Sequence, residues 1–327
     1  MFYFRTILWV FGVGLGGFVL IGASGVEAQK QIRIGIVSPT FGHAPFFVAR
    51  EKGFYKKEGL DAEVIVMNRD DLILQSVVSD SIQFGNISPN LVFLARDKGL
   101  TGFKTIAGSF NGTTYSIIGQ GKFKSLEQLK GARIAVSSLV AGSTQVLKYA
   151  LKQKGLLYPR DYTLLRVGGT TLRWSALQTQ QVDAASLAEP VSIIAMETGF
   201  TNLGDVYKLV PHYQLSSVWI KEEFGQKNRD VTLRFARAFL TALKWLHDNR
   251  DEAVELLPKT TTLKKEYVRK SWETYTQASI WPRDGKVNPN GLQLVIDLMG
   301  EEGTIKKPYP KPEDVIDHSY LQESTGR

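Results

Sequence analysis

Two stretches of this chain repeat at an offset of one hundred residues, and the repeat narrows the folds open to it. Ile34-Gly-Ile-Val-Ser38 reads like Ile134-Ala-Val-Ser-Ser138. Each apolar run suits a short buried strand. Each is followed by a loop and a helix that ends in Lys-Gly, at Lys52-Gly53 and Lys154-Gly155. Ser79-Asp-Ser-Ile-Gln-Phe-Gly85 matches Thr179-Gln-Gln-Val-Asp-Ala-Ala185 at the same offset, and both copies run into a proline-marked helix start, Ser88-Pro89 and Glu189-Pro190. The expected product is two lobes of one design, with equivalent loops facing each other across a cleft.

The order of elements agrees. Strands are expected at residues 32–37, 62–66, 82–84 and 104–108, with helices at 44–51, 70–79 and 89–98 between them. A strand-like stretch over 113–119 then crosses to the second lobe, where strands at 133–136, 162–167 and 182–187 alternate with helices at 143–154 and 172–179. Residues 213–220 alternate and carry the chain back. Strands alternating with helices at this spacing imply mostly parallel sheets. From Asn228 onward the pattern is helical, with Leu233, Phe235, Ala236, Phe239, Leu240, Leu243 and Leu246 at helical spacing, and these helices are expected to pack on the first lobe. The lobe boundaries are therefore drawn at 29–117 with 218–327, and at 118–217, with hinges near residues 117–119 and 216–218.

In open α/β sheets ligands sit at the carboxyl ends of the strands. The loops there are Ser38–His43, Gly85–Ser88, Ser137–Thr144, Gly168–Thr170 and Ala188–Glu189, and they are rich in Ser, Thr, Asn and Gly. Arg133 to Thr144 is the most informative of these segments: a strand, a small-residue turn and a helix start, with Ser143 as the expected N-cap and Gly155 past the far end. Free N–H groups at such a start suit an anion or a polar head group. His43 either bonds backbone at a helix start or touches ligand. Glu189 either caps its helix or selects an amine or another donor. Phe41, Tyr115 and Trp174 either stack on a flat ligand or fill the core, and Arg173 either pairs an anion or faces solvent. Of the four histidines, His247 is expected to be exposed and His318 to lie in a polar tail. Ser143 and Thr144 are expected to matter more for binding than Arg173. The polar loops and basic surface favour an anionic ligand, whereas Glu189 and the aromatic candidates favour a cationic or heteroaromatic one.

The chain has 327 residues and a formal net charge of +8, with Lys and Arg scattered among Glu and Asp. That distribution argues against a nucleic-acid groove. Residues 1–28 read as a cleavable export signal, with Arg5, an apolar run over 6–22 and Val26-Glu-Ala28 as the cleavage site. The rest is then expected outside the cytoplasm. The chain has no cysteine, which excludes a lipid-anchored form, disulfides, cysteine zinc sites and thiol nucleophiles. No Gly-x-Ser-x-Gly elbow, His-Glu-x-x-His or phosphate loop follows residue 28, so neither an enzyme nor a bound cofactor or metal is expected.

The chain resembles the periplasmic substrate-binding proteins of ABC importers for nitrate, sulfonates, taurine and thiamine-pyrimidine precursors. The segments that carry the resemblance are His43-Ala-Pro-Phe-Phe-Val-Ala-Arg-Glu-Lys-Gly-Phe-Tyr-Lys-Lys-Glu-Gly-Leu60, Leu129-Lys-Gly-Ala-Arg-Ile-Ala-Val136, Val167-Gly-Gly-Thr170, Ala176-Leu-Gln178 with Val182-Asp-Ala184, and Glu189-Pro190. The resemblance implies a bilobal α/β fold of the type II periplasmic-binding-protein kind, closing on a small-molecule ligand and docking on a membrane permease, with a monomer expected. By position it implies ligand contacts at Ser38, Thr40, Phe41, His43, Asn86, Ser88, Ser137, Ser138, Gly142, Ser143, Thr144, Gly169, Thr170 and Glu189. A sensor-linked binding protein is the alternative role. The pyrimidine-synthesising enzyme of the same family depends on a cysteine-rich motif that this chain lacks. Asp80 and Gln83 stand where the family usually has Gly and Asp, which puts one turn and the Asn86 contact in question.

Overall fold

The computed structural model of the chain describes residues 29–261 and 264–326, so the expected export signal at 1–28 lies outside the described residues. Among the described residues there are ten strands: β1 (Lys30–Ile36), β2 (Leu60–Val66), β3 (Phe84–Ile87), β4 (Phe103–Phe110), β5 (Tyr115–Gly119), β6 (Arg133–Val136), β7 (Thr163–Arg166), β8 (Ala184–Ala188), β9 (Thr201–Asp205) and β10 (Ser216–Lys221). They form two five-stranded sheets, ordered β2-β1-β3-β10-β4 and β7-β6-β8-β5-β9. In each sheet the fourth strand alone runs against the others, so both are mostly parallel.

The repeat in the sequence is a repeat in register. β1 pairs β3 through Ile34–Phe84 and Gly35–Gly85, and β6 pairs β8 through Ile134–Ala184 and Ala135–Ala185. Arg33 lies beside Glu63, and Arg133 beside Thr163. Side chains repeat too. Gln83 Oε1 accepts the Arg33 N–H at 2.9 Å, and Asp183 Oδ2 accepts the Arg133 N–H at 3.0 Å. Asp80 and Gln180 both hold the left-handed conformation, with φ of 61° and 58°. The turn questioned above is therefore intact. Aspartate tolerates that conformation, and the longer Gln83 amide reaches the same backbone group as Asp183.

The single reversed strand of each sheet arrives from the other lobe. β5 lies between β8 and β9, and β10 between β3 and β4. The chain thus crosses at residues 111–114 and 210–215, a few residues ahead of the expected hinge positions, which are paired on both sides within the sheets. The helices after β10 pack on the first lobe. Phe84 stacks on Phe235 at 3.9 Å, and Phe46 meets Phe239 at 4.8 Å, both from the helix Arg229–Asp248. A separate apolar cluster around Ile118, Leu177 and Leu187 sits in the second lobe. His247 is half-buried and bonds the Trp281 carbonyl at 3.0 Å, and His318 accepts the Val287 N–H at 3.0 Å. Both therefore tie C-terminal segments together, whereas His247 was expected to be exposed.

Candidate functional site

A cleft open to solvent lies between the lobes at the carboxyl ends of their strands. Ser38, Thr40, His43, Asp70, Ser88 and Phe110 line it from the first lobe, with Leu215, Ser216 and Tyr275. Tyr115, Ser137, Ser143, Gly169, Thr170, Arg173 and Ala188 line it from the second.

Arg173 dominates the electrostatics. It sits one turn into the helix Thr170–Gln178 and is only 2% exposed. Nη2 donates to Thr170 Oγ1 at 2.9 Å, while Nε and Nη1 have no hydrogen-bond partner. The guanidinium lies over the Tyr115 ring at 5.5 Å. Burial works against the charge and lowers its pKa. A buried guanidinium with free donors is costly unless an anion meets it. In the first lobe the position one hundred residues earlier is Ile73, which is fully buried in the core. The duplicated fold therefore has no structural need for an arginine here.

Two helix starts reinforce the positive field. The helices Gly142–Lys152 and Thr170–Gln178 have no side-chain capping bond, and Ser143 and Thr170 in their first turns line the cleft. A helix start favours negative charge through its partial positive end, and at the first of these the Gly142 and Thr144 N–H groups are already taken by Ser88 Oγ and the Ala141 carbonyl. Ser137 and Ser143 hydroxyls lie 3.1 Å apart beside them. Ser143 is not the N-cap. Ala141 holds that place, because the close approach of the lobes brings a first-lobe hydroxyl to the first N–H instead: Gly142 N donates to Ser88 Oγ at 2.9 Å.

The opposite wall is hydroxyl-rich and mostly uncharged. Ser38, Thr40 and His43 form a chain, with Thr40 Oγ1 at 3.1 Å from His43 Nδ1. Burial drives the His43 pKa down to about 3, so its ring is neutral. Asp70 is half-buried, and desolvation with the neighbouring Asp71 raises its carboxyl to about 7. Glu189 is raised to about 7 by burial, and its Oε2 has no hydrogen-bond partner.

The lobes are latched together around the cleft. Asn90 Nδ2 donates to Gln145 Oε1 at 2.7 Å, and the Tyr213 hydroxyl reaches Gln145 Oε1 at 2.8 Å and Asn90 Oδ1 at 3.1 Å. Lys148 pairs with Glu302 at 2.9 Å, and Tyr267 and Lys270 bind Glu197 at 2.6 and 2.8 Å.

Of the residues expected to touch ligand, Ser38, Thr40, His43, Ser88, Ser137, Ser143, Gly169 and Thr170 line the cleft. Others do not. Phe41 is fully buried against Tyr275 and Trp281, because its helical turn faces the C-terminal helices and not the opening. Asn86 is buried beneath the floor, its Oδ1 accepting from Ser109 and Ser216. Thr144 is fully buried and donates to the Ser138 carbonyl at 2.6 Å, which holds the loop. Gly142 lies against Ser88 and Asn90 of the other lobe, and Glu189 is buried and not among the residues lining the cleft. Trp174 packs on Phe200. Asp70, Phe110, Leu215, Ser216 and Tyr275 were not anticipated. The repeat itself pointed to Asp70, which starts its helix one hundred residues before Thr170. Nothing in the local sequence marked Tyr275, whose ring comes from the C-terminal helices.

Two mostly parallel lobes that exchange strands around one polar cleft define the fold of a bilobal binding protein. Residues 40–253 match the model of the NMT1/THI5-like family, and the chain belongs to that family. A protein of Brucella abortus, by name a candidate binding protein, is 27% identical over 286 residues, covering 85% of this chain and 87% of the relative. A candidate aliphatic sulfonates-binding protein of Bacillus subtilis is 28% identical over 258 residues, covering 76% of this chain and 75% of its own. The crystal structure of the periplasmic nitrate-binding protein NrtA from Synechocystis superposes with a TM-score of 0.76 at 14% identity, over 91% of this chain and 88% of that one. The expected bilobal periplasmic-binding-protein fold is thus the fold observed.

Proposed function

We propose that this chain is an extracytoplasmic solute-binding protein whose lobes close on a small anionic molecule. The observation that carries the reading is Arg173: a buried cation with two donor nitrogens without a hydrogen-bond partner, among the residues lining an interlobe cleft and in the first turn of the helix Thr170–Gln178. The sulfonate and nitrate binders among its relatives support an anion as the solute. The ligand is delivered to an ABC transporter permease, and residues 1–28 direct export and are removed. The protein acts as a monomer and is not an enzyme. The cleft hydroxyls support binding over catalysis, since His43 is held neutral and is a poor base with its pKa at about 3.

The test is calorimetry and solution scattering on the exported mature protein with a panel of anions, cations and neutral analogues. An anion should bind and reduce the radius of gyration. At one hundred times its dissociation constant it should add ~2.7 kcal/mol to stability, a rise on the order of 2–4 °C per kcal/mol in a chain of this size. Tight binding restricted to cations, or saturation without compaction, overturns the reading.

A further inference from the structure

A buried polar network crosses the boundary between the lobes beside the cleft, and its donors and acceptors can be followed atom by atom. Gly142, the first residue of the helix Gly142–Lys152, donates its N–H to Ser88 Oγ at 2.9 Å. Ser88 Oγ donates in turn to Asn90 Oδ1 at 2.9 Å. Asn90 Nδ2 donates to Gln145 Oε1 at 2.7 Å, and the Tyr213 hydroxyl lies 2.8 Å from that same oxygen and 3.1 Å from Asn90 Oδ1. Ser88 and Asn90 come from the first lobe and Gln145 from the second, while Tyr213 sits in the segment where the chain crosses back. All of these side chains are at most 3% exposed, and none carries a charge.

The one proton of Ser88 is committed to Asn90, and one of its lone pairs to Gly142. Ser88 therefore lines the cleft without a hydrogen to offer an anion. Its bond to Gly142 acts as a helix cap, satisfying an N–H group that the N-cap residue Ala141 has no side chain to reach. A cap supplied by one lobe to a helix of the other exists only while the lobes meet. Asn90 and Gln145 also pair only across the boundary, and a buried polar network stabilises only when its members are satisfied together.

Resting on the reading that the lobes close, we infer that Ser88, Asn90, Gln145 and Tyr213 form an uncharged closure lock. Ser88 caps the helix Gly142–Lys152 from the opposite lobe, and Tyr213, from the crossing segment, holds Asn90 and Gln145 in register. Ser88 and Tyr213 are thus positioning residues: they set the helix start that carries Ser143 into the cleft.

The experiment is double electron–electron resonance on the exported mature protein. The chain has no cysteine, so Lys98→Cys and Gln178→Cys place a single nitroxide pair at exposed positions of the two lobes. Distances are recorded without added ligand and with nitrate, sulfate or methanesulfonate. A longer and a shorter distance should appear, and their populations give the closed-to-open ratio. Tyr213→Phe removes only the hydroxyl and should lower that ratio about fivefold or more, as the loss of one hydrogen bond does. Ser88→Ala should lower it to a similar extent. Thr105→Val removes a buried hydrogen bond made within the first lobe, to the Val218 carbonyl, and should lower the melting temperature while leaving the ratio unchanged. For Ser88→Ala the loss of anion affinity by titration should not exceed the loss in ratio, because only the population of the closed form changes. A ratio unmoved by both Tyr213→Phe and Ser88→Ala would overturn the lock and leave lobe closure standing; where Ser88→Ala folds poorly, Tyr213→Phe decides alone. A loss of affinity well beyond the loss in ratio would make Ser88 a ligand contact and overturn its positioning role. One distance, the same in every condition and variant, would overturn closure and the lock with it. Two distances whose ratio no anion shifts would overturn the anion reading, with the lock still decided by the variants.

Discussion

Replacing Arg173 by Met separates the cost of this side chain from its use. In the free protein the guanidinium is 2% exposed and has a single hydrogen bond, to Thr170. Among the described residues no carboxylate pairs with it, and two of its nitrogens have no partner. Methionine fills an irregular space of similar length without a charge. Replacing buried ionic groups by apolar ones of similar volume is often neutral or stabilising by ~1–4 kcal/mol. The unliganded variant should therefore melt at the same temperature or higher, by about 2–4 °C per kcal/mol. Binding should move the other way. Losing one partner of a buried charged contact costs ~2–5 kcal/mol, or roughly 30-fold to several thousand-fold in dissociation constant. Calorimetric melting without ligand and titration with an anion measure the two effects on one sample. Arg173→Lys keeps the charge but not the planar fork, and should fall between the parent and Met. A large loss of unliganded stability with unchanged affinity would make Arg173 a structural residue and refute the argument.

Other expectations follow from the same geometry. Gly142→Ala should impair closure more than folding, because a Cβ there would lie 2.6 Å from Ser88 Oγ and 2.9 Å from Asn90 Oδ1, both in the opposite lobe; overpacking of this kind costs ~1–3 kcal/mol, so affinity should drop about tenfold or more while the unliganded melting temperature holds. An unchanged affinity by titration would show that the lobes do not close this tightly. Thr144→Ala should lower stability by roughly 1 kcal/mol through the lost loop hydrogen bond and reduce affinity less than Arg173→Met, reversing the order expected from the sequence; denaturant unfolding with titration tests both halves. Asp70 and Glu189 are raised to about 7 from ordinary values near 3.8 and 4.5, so the folded state holds more protons than the unfolded one in that window. Their contribution to stability is favourable at low pH and is lost as pH rises from about 4 to 7. Asp70→Asn with Glu189→Gln should flatten that slope in melting curves, and a slope unchanged by both would sink the assignment. For the same reason anion affinity should fall between pH 6 and 8, as Asp70 gains its charge beside the ligand.

The fold was legible because duplication writes itself twice. An offset of one hundred residues in the sequence became the same offset in strand register, in the paired bonds of Gln83 and Asp183, and in the left-handed residues Asp80 and Gln180. Local patterns set those features, since a strand's partner and its closing turn are encoded within a few residues of it. The stretches 113–119 and 213–220, expected to carry the chain between the lobes, contain β5 and nearly all of β10. That each runs antiparallel as the fourth strand of its sheet is a property of topology, which periodicity does not record.

The site divides along the same line. Residues on the short loops after strands were found, because the strand end fixes their direction: Ser38, Ser88, Ser137 and Gly169 all reach the cleft. Residues inside helices were left open, because composition allows an arginine either solvent or an anion partner and a phenylalanine near a loop either fate. A comparison between the two lobes narrows that choice. Arg173 aligns with Ile73, a position that the first lobe buries completely. A charged residue standing where its duplicate is buried and apolar must be either exposed by a change in packing or buried for a purpose. Since the helix Thr170–Gln178 keeps the same start and length as Asp70–Val78, the packing change is excluded and the second alternative remains. Differences between equivalent positions of a duplicated fold thus mark function where similarity marks structure. By that criterion Asp70 opposite Thr170 and His43 opposite Ser143 make the lobes chemically unequal, with the donors for an anion concentrated on the second.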